Sequence, residues 1–140
     1  SSYYAFDLYA NHSGEIVLET IVESERYDAE LRLPDRDVHV REVPYVDSSA
    51  TLSADRRTLF ISTVNAHKDN NMAAKIQLEN LSAKKIGRVF ELNGPDVMAV
   101  NNADNPRRVS ITEKTFENAG ESFTYEFPPH STTILELQVE

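Results

Sequence analysis

Pairs of acidic side chains are the first residues in this sequence whose type suits chemistry. Hydrolysis of a glycosidic bond uses two carboxyl groups that lie roughly 5 to 10 Å apart, one of which has a raised pKa. With 23 Asp and Glu residues among 140, candidates occur along the whole chain. Glu126 and Glu136 would face each other across a terminal hairpin, and Glu19 and Glu23 share one face of an early strand. Both pairs lie on the polar side of amphipathic strands, so we expect solvated charges and no catalytic residue.

A histidine beside a serine suggests a second kind of chemistry, attack by an activated hydroxyl group. His130 directly precedes Ser131, and the run Asp47-Ser48-Ser49 contains an acid of the kind that orients a catalytic base. The dipeptide Pro128-Pro129 comes immediately before them and predicts a rigid corner. In such a corner Ser131 hydrogen-bonds locally, so we expect a structural role for these residues.

No spacing favours a metal ion or a cofactor. The sequence has no cysteine, which excludes disulfides and thiolate metal sites. Four histidines occur without metal-ligand spacing, namely His12, His39, His67 and His130. Asp35 with Asp37, and the run Asp69-Asn70-Asn71, offer oxygen ligands that calcium prefers, but each has too few acidic ligands for a closed shell. We therefore expect turn chemistry there, with no metal and no cofactor.

The charge balance argues against a nucleic-acid partner. The formal net charge is −9, so the mean field of the surface repels a polyanion. The basic residues do not cluster and form separated pairs, namely Arg56-Arg57, Lys84-Lys85 and Arg107-Arg108. Asn11-His12-Ser13 and Asn80-Leu81-Ser82 match the glycosylation pattern, which also arises by chance in a chain of this composition.

Tyrosines are the remaining candidates for ligand binding, because many sugar-binding β-sandwiches present aromatic side chains to carbohydrate. The chain has no Trp, and Tyr4 and Tyr125 fall within apolar strand patterns. The other four are Tyr3, Tyr9, Tyr27 and Tyr45. A tyrosine at a strand end more often packs against its neighbours, so the substrate-binding residues stay unassigned.

The elements that position these residues are strands, because the dominant apolar period is two. Three aromatic residues alternate with three polar ones at residues 122–127, which predicts a strand with one apolar face. In the closing segment, Thr133, Leu135, Leu137 and Val139 share one face and Ile134 lies on the other. We predict that these two strands form a terminal hairpin.

Seven further strands and one short helix complete the prediction. The strands lie at residues 3–9, 15–22, 45–52, 58–64, 74–79, 86–92 and 109–115, with turn-rich runs between them. A single helical turn is possible at residues 82–85, and residues 24–37 give the weakest indication of structure. Nine short strands predict an all-β antiparallel sandwich or barrel.

The length suits one domain, residues 1–140, with a single core. No apolar run approaches the ~20 residues that a membrane helix needs. The chain opens on Ser1-Ser2 without an initiator Met or a signal peptide, directly before an apolar stretch. We expect this start to be a cut inside a longer polypeptide.

Four segments in order carry a resemblance to a known family. They are Tyr3-Tyr4-Ala5-Phe6-Asp7-Leu8-Tyr9 followed by His12 and Gly14, Val43-Pro44-Tyr45-Val46-Asp47-Ser48-Ser49-Ala50-Thr51, residues 59–65 ending in Asn65, and residues 90–109 leading into Phe127-Pro128-Pro129-His130-Ser131-Thr132-Thr133-Ile134-Leu135. Their order and spacing over nearly the whole chain resemble the C-terminal domain of family 51 α-L-arabinofuranosidases. Val43-Pro44-Tyr45 and Pro128-Pro129-His130-Ser131 are the most specific elements.

The resemblance implies a jelly-roll-like sandwich of about 9 to 12 short strands, packed on a catalytic (β/α)8 barrel that this sequence lacks. In the family, the enzyme removes terminal α-L-arabinofuranosyl residues from arabinan, arabinoxylan or related oligosaccharides with retention of configuration. Its two catalytic Glu residues lie on barrel strands that precede the aligned region, so no residue here inherits their roles. An N-terminal segment of the family's enzymes can add strands to the sandwich, which implies an unpaired sheet edge in this chain.

Three functions follow as hypotheses. The first is a non-catalytic domain that supports the barrel and helps to build the family's oligomers, so that its partners are the barrel and further copies of the enzyme. The alternative is a carbohydrate-binding module, and the third is an interaction domain unrelated to sugars. No residue pattern indicates the compartment, the preferred polysaccharide or the oligomeric state.

Overall fold

The computed structural model describes residues 8–22, 26–32, 37–93 and 110–140, with side chains for those outside 26–32 and 37–44. One helical turn, residues 8–11, precedes ten strands. The strands are β1 (Ile16–Leu18), β2 (Arg26–Arg32), β3 (Asp37–Pro44), β4 (Val46–Leu52), β5 (Thr58–Asn65), β6 (Met72–Gln77), β7 (Ala83–Asn93), β8 (Ser110–Phe116), β9 (Ser122–Phe127) and β10 (Ser131–Val139). In this part of the chain no helix is long and apolar enough to cross a membrane.

The described strands form three antiparallel sheets, and the six-stranded sheet packs face to face against one of the two-stranded sheets. Six strands make the main sheet, in the order β1-β4-β5-β10-β7-β8. Strands β6 and β9 make a two-stranded ribbon, and β2 and β3 pair with each other. The predicted all-β antiparallel sandwich is therefore confirmed. We call the side of the main sheet that faces the ribbon its inner side, and the opposite side its outer side.

The inner side holds the larger core because apolar residues alternate along both layers. Phe123, Tyr125 and Phe127 point from β9 toward Leu135 and Leu137 of β10. The buried members of this inner core are Leu52, Leu59, Ile61, Ala83, Val89, Ala119, Phe123, Tyr125, Phe127, Leu135, Leu137 and Val139. Burial of these large apolar side chains between the two layers makes the main favourable contribution to the free energy of folding of the sandwich.

Strands β9 and β10 do not form the predicted terminal hairpin. They follow each other in sequence, but β9 pairs with β6 in the ribbon and β10 pairs with β5 and β7 in the main sheet. Each strand has one apolar face, and packing these faces against each other removes both from water, which pairing edge to edge would not do. The connection turns through Pro128, Pro129 and His130, whose φ is 43°.

Other strand predictions hold with changed ends. Seven of the nine predicted strands match described strands within a few residues, but β1 covers only three residues of the predicted 15–22. The helical turn predicted at 82–85 is wrong, because Ala83 begins β7 and is buried opposite Val139. Leu8 and Tyr9 belong to a helical turn and not to the predicted strand 3–9, whose other residues lie outside the described part. Strands β2 and β3 arise in and after the region of weakest prediction.

Candidate functional site

The described structure does not form the acid pair considered from sequence. Glu126 lies on the exposed surface of the ribbon, where its carboxylate accepts a hydrogen bond from Asn71 Nδ2 at 2.9 Å. Glu136 lies on the outer side of the main sheet. Because β9 and β10 belong to different layers, the inner core separates the two carboxyl groups. Glu19 is exposed beyond β1, and Glu23 lies outside the described residues.

An ion cluster that the sequence did not predict occupies the outer side of the main sheet. Arg88 Nε donates to Glu113 Oε1 at 2.9 Å, and a second guanidinium nitrogen contacts the same oxygen. Arg88 Nη1 also lies 3.6 Å from Glu136 Oε2. The hydrogen bond to Glu113 raises the pKa of Arg88 above its ordinary value, and the charges of Glu113 and Glu136 add to that rise.

This ion cluster does not resemble a pair of hydrolytic carboxyl groups. A general acid must hold a proton, which requires a carboxyl group kept away from permanent cations. Both Glu113 and Glu136 lie beside a guanidinium that stays charged. The signal that would have revealed the cluster is the pairing register, which sets Glu136 opposite Arg88 and is not readable from one strand at a time.

The serine and aspartate considered for nucleophilic chemistry lie on different sides of the sheet. Ser131 is 3% exposed, and its Oγ donates to the carbonyl of Pro128 at 2.7 Å, which confirms the predicted local hydrogen bond. Asp47 Oδ1 accepts a hydrogen bond from the amide of Ser48 at 2.9 Å. Asp47 pairs with Val64 on the outer side, whereas Ser131 faces the inner side. The described structure therefore does not bring an orienting acid to this hydroxyl.

Two of the four histidines stack on aromatic rings. His12 stacks on Phe90 with ring centroids 3.7 Å apart, and His67 stacks on Tyr45 at 4.2 Å. The backbone amide of His130 donates to the carbonyl of His67 at 2.8 Å. The side chain of His39, in β3, is not among those described. Within the described residues no three His, Cys, Asp or Glu side chains converge in a way that would hold a metal ion.

The oxygen-rich run considered for calcium takes part in the fold. The carbonyl of Asn70 accepts a hydrogen bond from Asn65, and Asn71 donates to Glu126. Asp35 lies outside the described residues, as does the side chain of Asp37. The glycosylation motifs are exposed: Asn11 lies in the helical turn, and Asn80 adopts a φ of 61° in the turn between β6 and β7.

Two of the four candidate tyrosines have described side chains, and both make contacts within the domain. Tyr9 is 40% exposed, and its hydroxyl accepts a hydrogen bond from Ser62 Oγ at 3.0 Å. One face of the Tyr45 ring is covered by His67. The side chains of Tyr3 and Tyr27 are not described.

A buried asparagine fixes the corner between the two layers. Asn65 is 1% exposed, and its Nδ2 lies 3.1, 3.1 and 2.9 Å from the carbonyl oxygens of Asn70, Phe127 and Pro128. Its Oδ1 accepts a hydrogen bond from the amide of His67 at 3.0 Å. The side chain thus satisfies backbone groups of the β5–β6 and β9–β10 connections at once. Sequence motifs that suggested chemistry around Pro128 and Ser131 therefore belong to one structural corner.

Buried hydroxyl groups form a polar row at the same end of the inner side. Ser48 Oγ lies 3.0 Å from Thr63 Oγ1 and also donates to the carbonyl of Ser62 at 3.0 Å. Thr133 lies opposite Thr63 in the register of the β5–β10 pair and is fully buried. Its hydroxyl has no hydrogen-bond partner, so this row is only partly satisfied.

The outer side of the main sheet is covered in part by the N-terminal strap, residues 8–14. Leu8 is fully buried there against Phe90 and Ile134. The strap ends where the amide of Gly14 donates to Thr51 Oγ1 at 2.8 Å. A Cβ atom at Gly14 would overlap the backbone carbonyl of Leu52, so only glycine permits this close approach.

Comparison with known proteins agrees with this architecture. A family model described as the alpha-L-arabinofuranosidase C-terminal domain matches residues 1–131. The chain is 37% identical over 97% of its length to an α-L-arabinofuranosidase from Thermotoga maritima, solved in complex with arabinose, with a TM-score of 0.90. It is likewise 37% identical over 97% of its length to the thermostable GH51 α-L-arabinofuranosidase from Thermotoga petrophila RKU-1, with a TM-score of 0.89.

Each of these two matches covers 28% of the relative, so the chain spans less than a third of either enzyme. A family 51 α-L-arabinofuranosidase from Bifidobacterium longum shares the fold, with 20% identity, a TM-score of 0.72, and coverage of 98% of this chain and 24% of that one. No protein with a curated description matches the sequence. On the match over residues 1–131, this chain belongs to the family of α-L-arabinofuranosidase C-terminal domains.

Proposed function

We propose that this chain is the non-catalytic C-terminal domain of a retaining family 51 α-L-arabinofuranosidase. The proposal rests mainly on alignment coverage, because 97% of this chain aligns with only 28% of each of two such enzymes. The remaining part of the parent enzyme would then supply the catalytic barrel with its two Glu residues. The parent would remove terminal α-L-arabinofuranosyl residues from arabinan or arabinoxylan, and the sandwich would support the barrel and the enzyme's oligomer.

The geometry of the acidic groups supports a non-catalytic role. A retaining hydrolase needs two carboxyl groups about 5 Å apart, one of them protonated. In the described part of this chain, Glu126 and Glu136 lie on opposite surfaces, and Glu113 and Glu136 share a guanidinium. Neither arrangement offers an acid together with a nucleophile.

The test is hydrolysis of a chromogenic aryl α-L-arabinofuranoside by the purified 140-residue chain. Folding is checked first by the β-type circular dichroism spectrum and a cooperative melt. We expect no release above buffer from the folded chain and clear release from the parent enzyme at equal molar concentration. Release that falls in the Glu126→Gln or Glu136→Gln variant would show that the chain has its own site, and the proposal would be wrong.

Titration with arabinan and arabinoxylan oligosaccharides separates this proposal from a carbohydrate-binding module. Tyr9 and Tyr45 are engaged with Ser62 and His67, so we expect no heat of binding at millimolar ligand. Saturable heat that is lost in Tyr9→Ala or Tyr45→Ala, with the melt unchanged, would establish the sugar-binding alternative.

A further inference from the structure

The two exposed surfaces of the sandwich differ in kind. The ribbon presents small or polar side chains to solvent, namely Ala73, Lys75, Gln77, Ser122, Thr124 and Glu126. The outer side of the main sheet presents exposed large apolar side chains, among them Tyr9, Val17 and Val64, at 40%, 80% and 41% exposure. The pairing of Val17 with Thr51 and of Val64 with Thr132 places both valines on this side. Within the described residues, the ribbon carries no exposed large apolar side chain.

The polar groups of the outer side are also incompletely satisfied. Glu136 Oε2 is buried and has no hydrogen-bond partner, since the nearest guanidinium nitrogen of Arg88 is 3.6 Å away. A buried carboxylate oxygen that accepts no hydrogen bond loses its hydration without compensation, which destabilises the fold and is uncommon in proteins. Phe60 lies directly beside Glu136 across the β5–β10 pair and is only partly buried. Partly exposed aromatic rings beside a carboxylate oxygen that lacks a hydrogen-bond donor are typical of a surface that another part of a protein covers.

The N-terminal strap indicates what covers it. The strap crosses the outer side, with Leu8 fully buried, Tyr9 bonded to Ser62 and His12 stacked on Phe90. The first described residues, Leu8 and Tyr9, therefore lie on this surface and not on the ribbon. In the relatives, the part matched by this chain is 28% of the polypeptide, so most of the enzyme lies elsewhere in the same chain.

We infer that the outer side of the main sheet is the surface on which the catalytic part of the same polypeptide docks. The inference rests on the proposed function and adds to it the face and the residues. Val17, Val64 and Tyr9 are the apolar contacts, and a donor from the catalytic part completes the hydrogen bonding of Glu136. The ribbon surface stays in solvent.

Cysteine labelling of the full-length parent enzyme tests this inference, because the domain itself has no cysteine. Single variants place the probe on the outer side, Val17→Cys and Val64→Cys, or on the ribbon, Lys75→Cys and Thr124→Cys. All four positions are exposed in the domain, so each substitution is tolerated by the fold. The maleimide reaction is followed by mass spectrometry on the peptide that carries the new cysteine, and each rate is divided by its rate in denaturant.

We expect the two outer-side cysteines to react at least about tenfold more slowly than the two ribbon cysteines in the folded enzyme. Equal rates on the two surfaces, or slower reaction on the ribbon, would overturn the inference. Outer-side protection that disappears when the enzyme is diluted from micromolar to nanomolar concentration would assign the surface to a second copy and would equally overturn it. The arabinofuranosidase activity of each labelled enzyme is measured separately, so a wrong docking face is distinguishable from a wrong proposed function.

Discussion

The two sides of the main sheet differ in how much of their apolar surface the described part of this chain covers. The inner side is closed by the ribbon, whose aromatic residues Phe123, Tyr125 and Phe127 fill the space above β10. Among the described residues, the buried cluster of the outer side is smaller and consists of Leu8, Phe90 and Ile134, beside an ion cluster and exposed valines. One side of the sheet is therefore covered by the ribbon of the same domain, and the other side is covered only in part.

The difference separates stability from association. A closed apolar layer contributes to the free energy of unfolding of the domain by itself. A half-covered surface contributes less until a further element covers it, because its apolar side chains remain in contact with water. Substitutions on the two sides should therefore behave differently, and neighbouring residues of β10 allow the comparison on a single strand.

Leu135→Ala and Ile134→Ala give the largest expected effect. Both residues are fully buried and adjacent, but Leu135 faces the inner core and Ile134 the outer cluster. Truncation of a buried aliphatic side chain costs more where the surroundings cannot collapse, so we expect losses of about 4 kcal/mol for Leu135→Ala and about 2 to 3 kcal/mol for Ile134→Ala. Urea unfolding of the isolated domain measures both, and an equal or reversed order would remove the distinction between the two sides.

Asn65→Ala tests the corner that closes the inner side. The substitution leaves buried carbonyls of the two connections without a donor, so we expect a loss of about 2 to 3 kcal/mol in the free energy of unfolding. Asn70→Ala is the matched control, because Asn70 takes part through its backbone carbonyl and its side chain is exposed. If both variants unfold at the same urea concentration, the hydrogen bonds of the Asn65 side chain do not hold the corner.

Thr133→Val tests the polar end of the inner side. The hydroxyl of Thr133 is fully buried and unpaired, so its removal should leave stability unchanged or raise it by about 1 kcal/mol. Thr63→Val removes a hydroxyl that is paired with Ser48, and we expect it to lower stability by about 1 kcal/mol. Thermal melts of both variants measure the contrast, and a destabilised Thr133→Val would mean that its hydroxyl has a partner in solution, such as a bound water.

The periodicity of the sequence predicted the strands well but could not predict their layers. The alternation in β9 and β10 correctly separated Phe127 from Glu126 and Leu135 from Glu136. Whether consecutive strands pair by hydrogen bonds or pack by their faces depends on the whole set of strand neighbours, and no local pattern encodes it. The hairpin between β9 and β10, and with it the pairing of Glu126 with Glu136, was wrong for this reason.

The contacts that matter on the outer side were also beyond sequence reasoning. Arg88, Glu113 and Glu136 lie on three strands, and their ion cluster exists only through the register of β7 with β8 and β10. Pro128 and Ser131 gave a correct prediction because their effect is local: a stiff corner and a short-range hydrogen bond. The segments that resemble the family are local elements of the same kind, so the resemblance is readable without the topology.

The turn between β4 and β5 lies on neither side of the main sheet, so a substitution there gives a reference for the stability changes on the two sides. Asp55 accepts hydrogen bonds from the Ser53 hydroxyl at 2.6 Å and from the amide of Arg57 at 3.0 Å, and these lower its pKa below the ordinary value of 3.8. A lowered pKa means that the ionised group stabilises the fold above the ordinary pKa and that this contribution is lost as pH falls through the lowered pKa.

Asp55→Asn should therefore melt slightly below the unsubstituted domain at neutral pH, and the gap should close as pH falls below 3.8. We expect this exposed turn to give the smallest effect of the series. Melting curves of both proteins between about pH 7 and pH 2.5 measure the gap. A gap that stays constant over this range would show that the charge of Asp55 does not contribute.

The central claim is that the outer side of the main sheet is completed by the catalytic part of the enzyme while the chemistry lies elsewhere. Its most direct test is the heat-inactivation half-life of the full-length parent carrying Val64→Lys, with Thr124→Lys on the ribbon as the control. Burial of a lysine against a docked surface is costly, so we expect Val64→Lys to shorten the half-life by about tenfold and Thr124→Lys by less than about twofold. The kcat/KM of both variants should stay at the parent value at low temperature. Equal half-lives, or a kcat/KM that falls in Val64→Lys at low temperature, would contradict the claim.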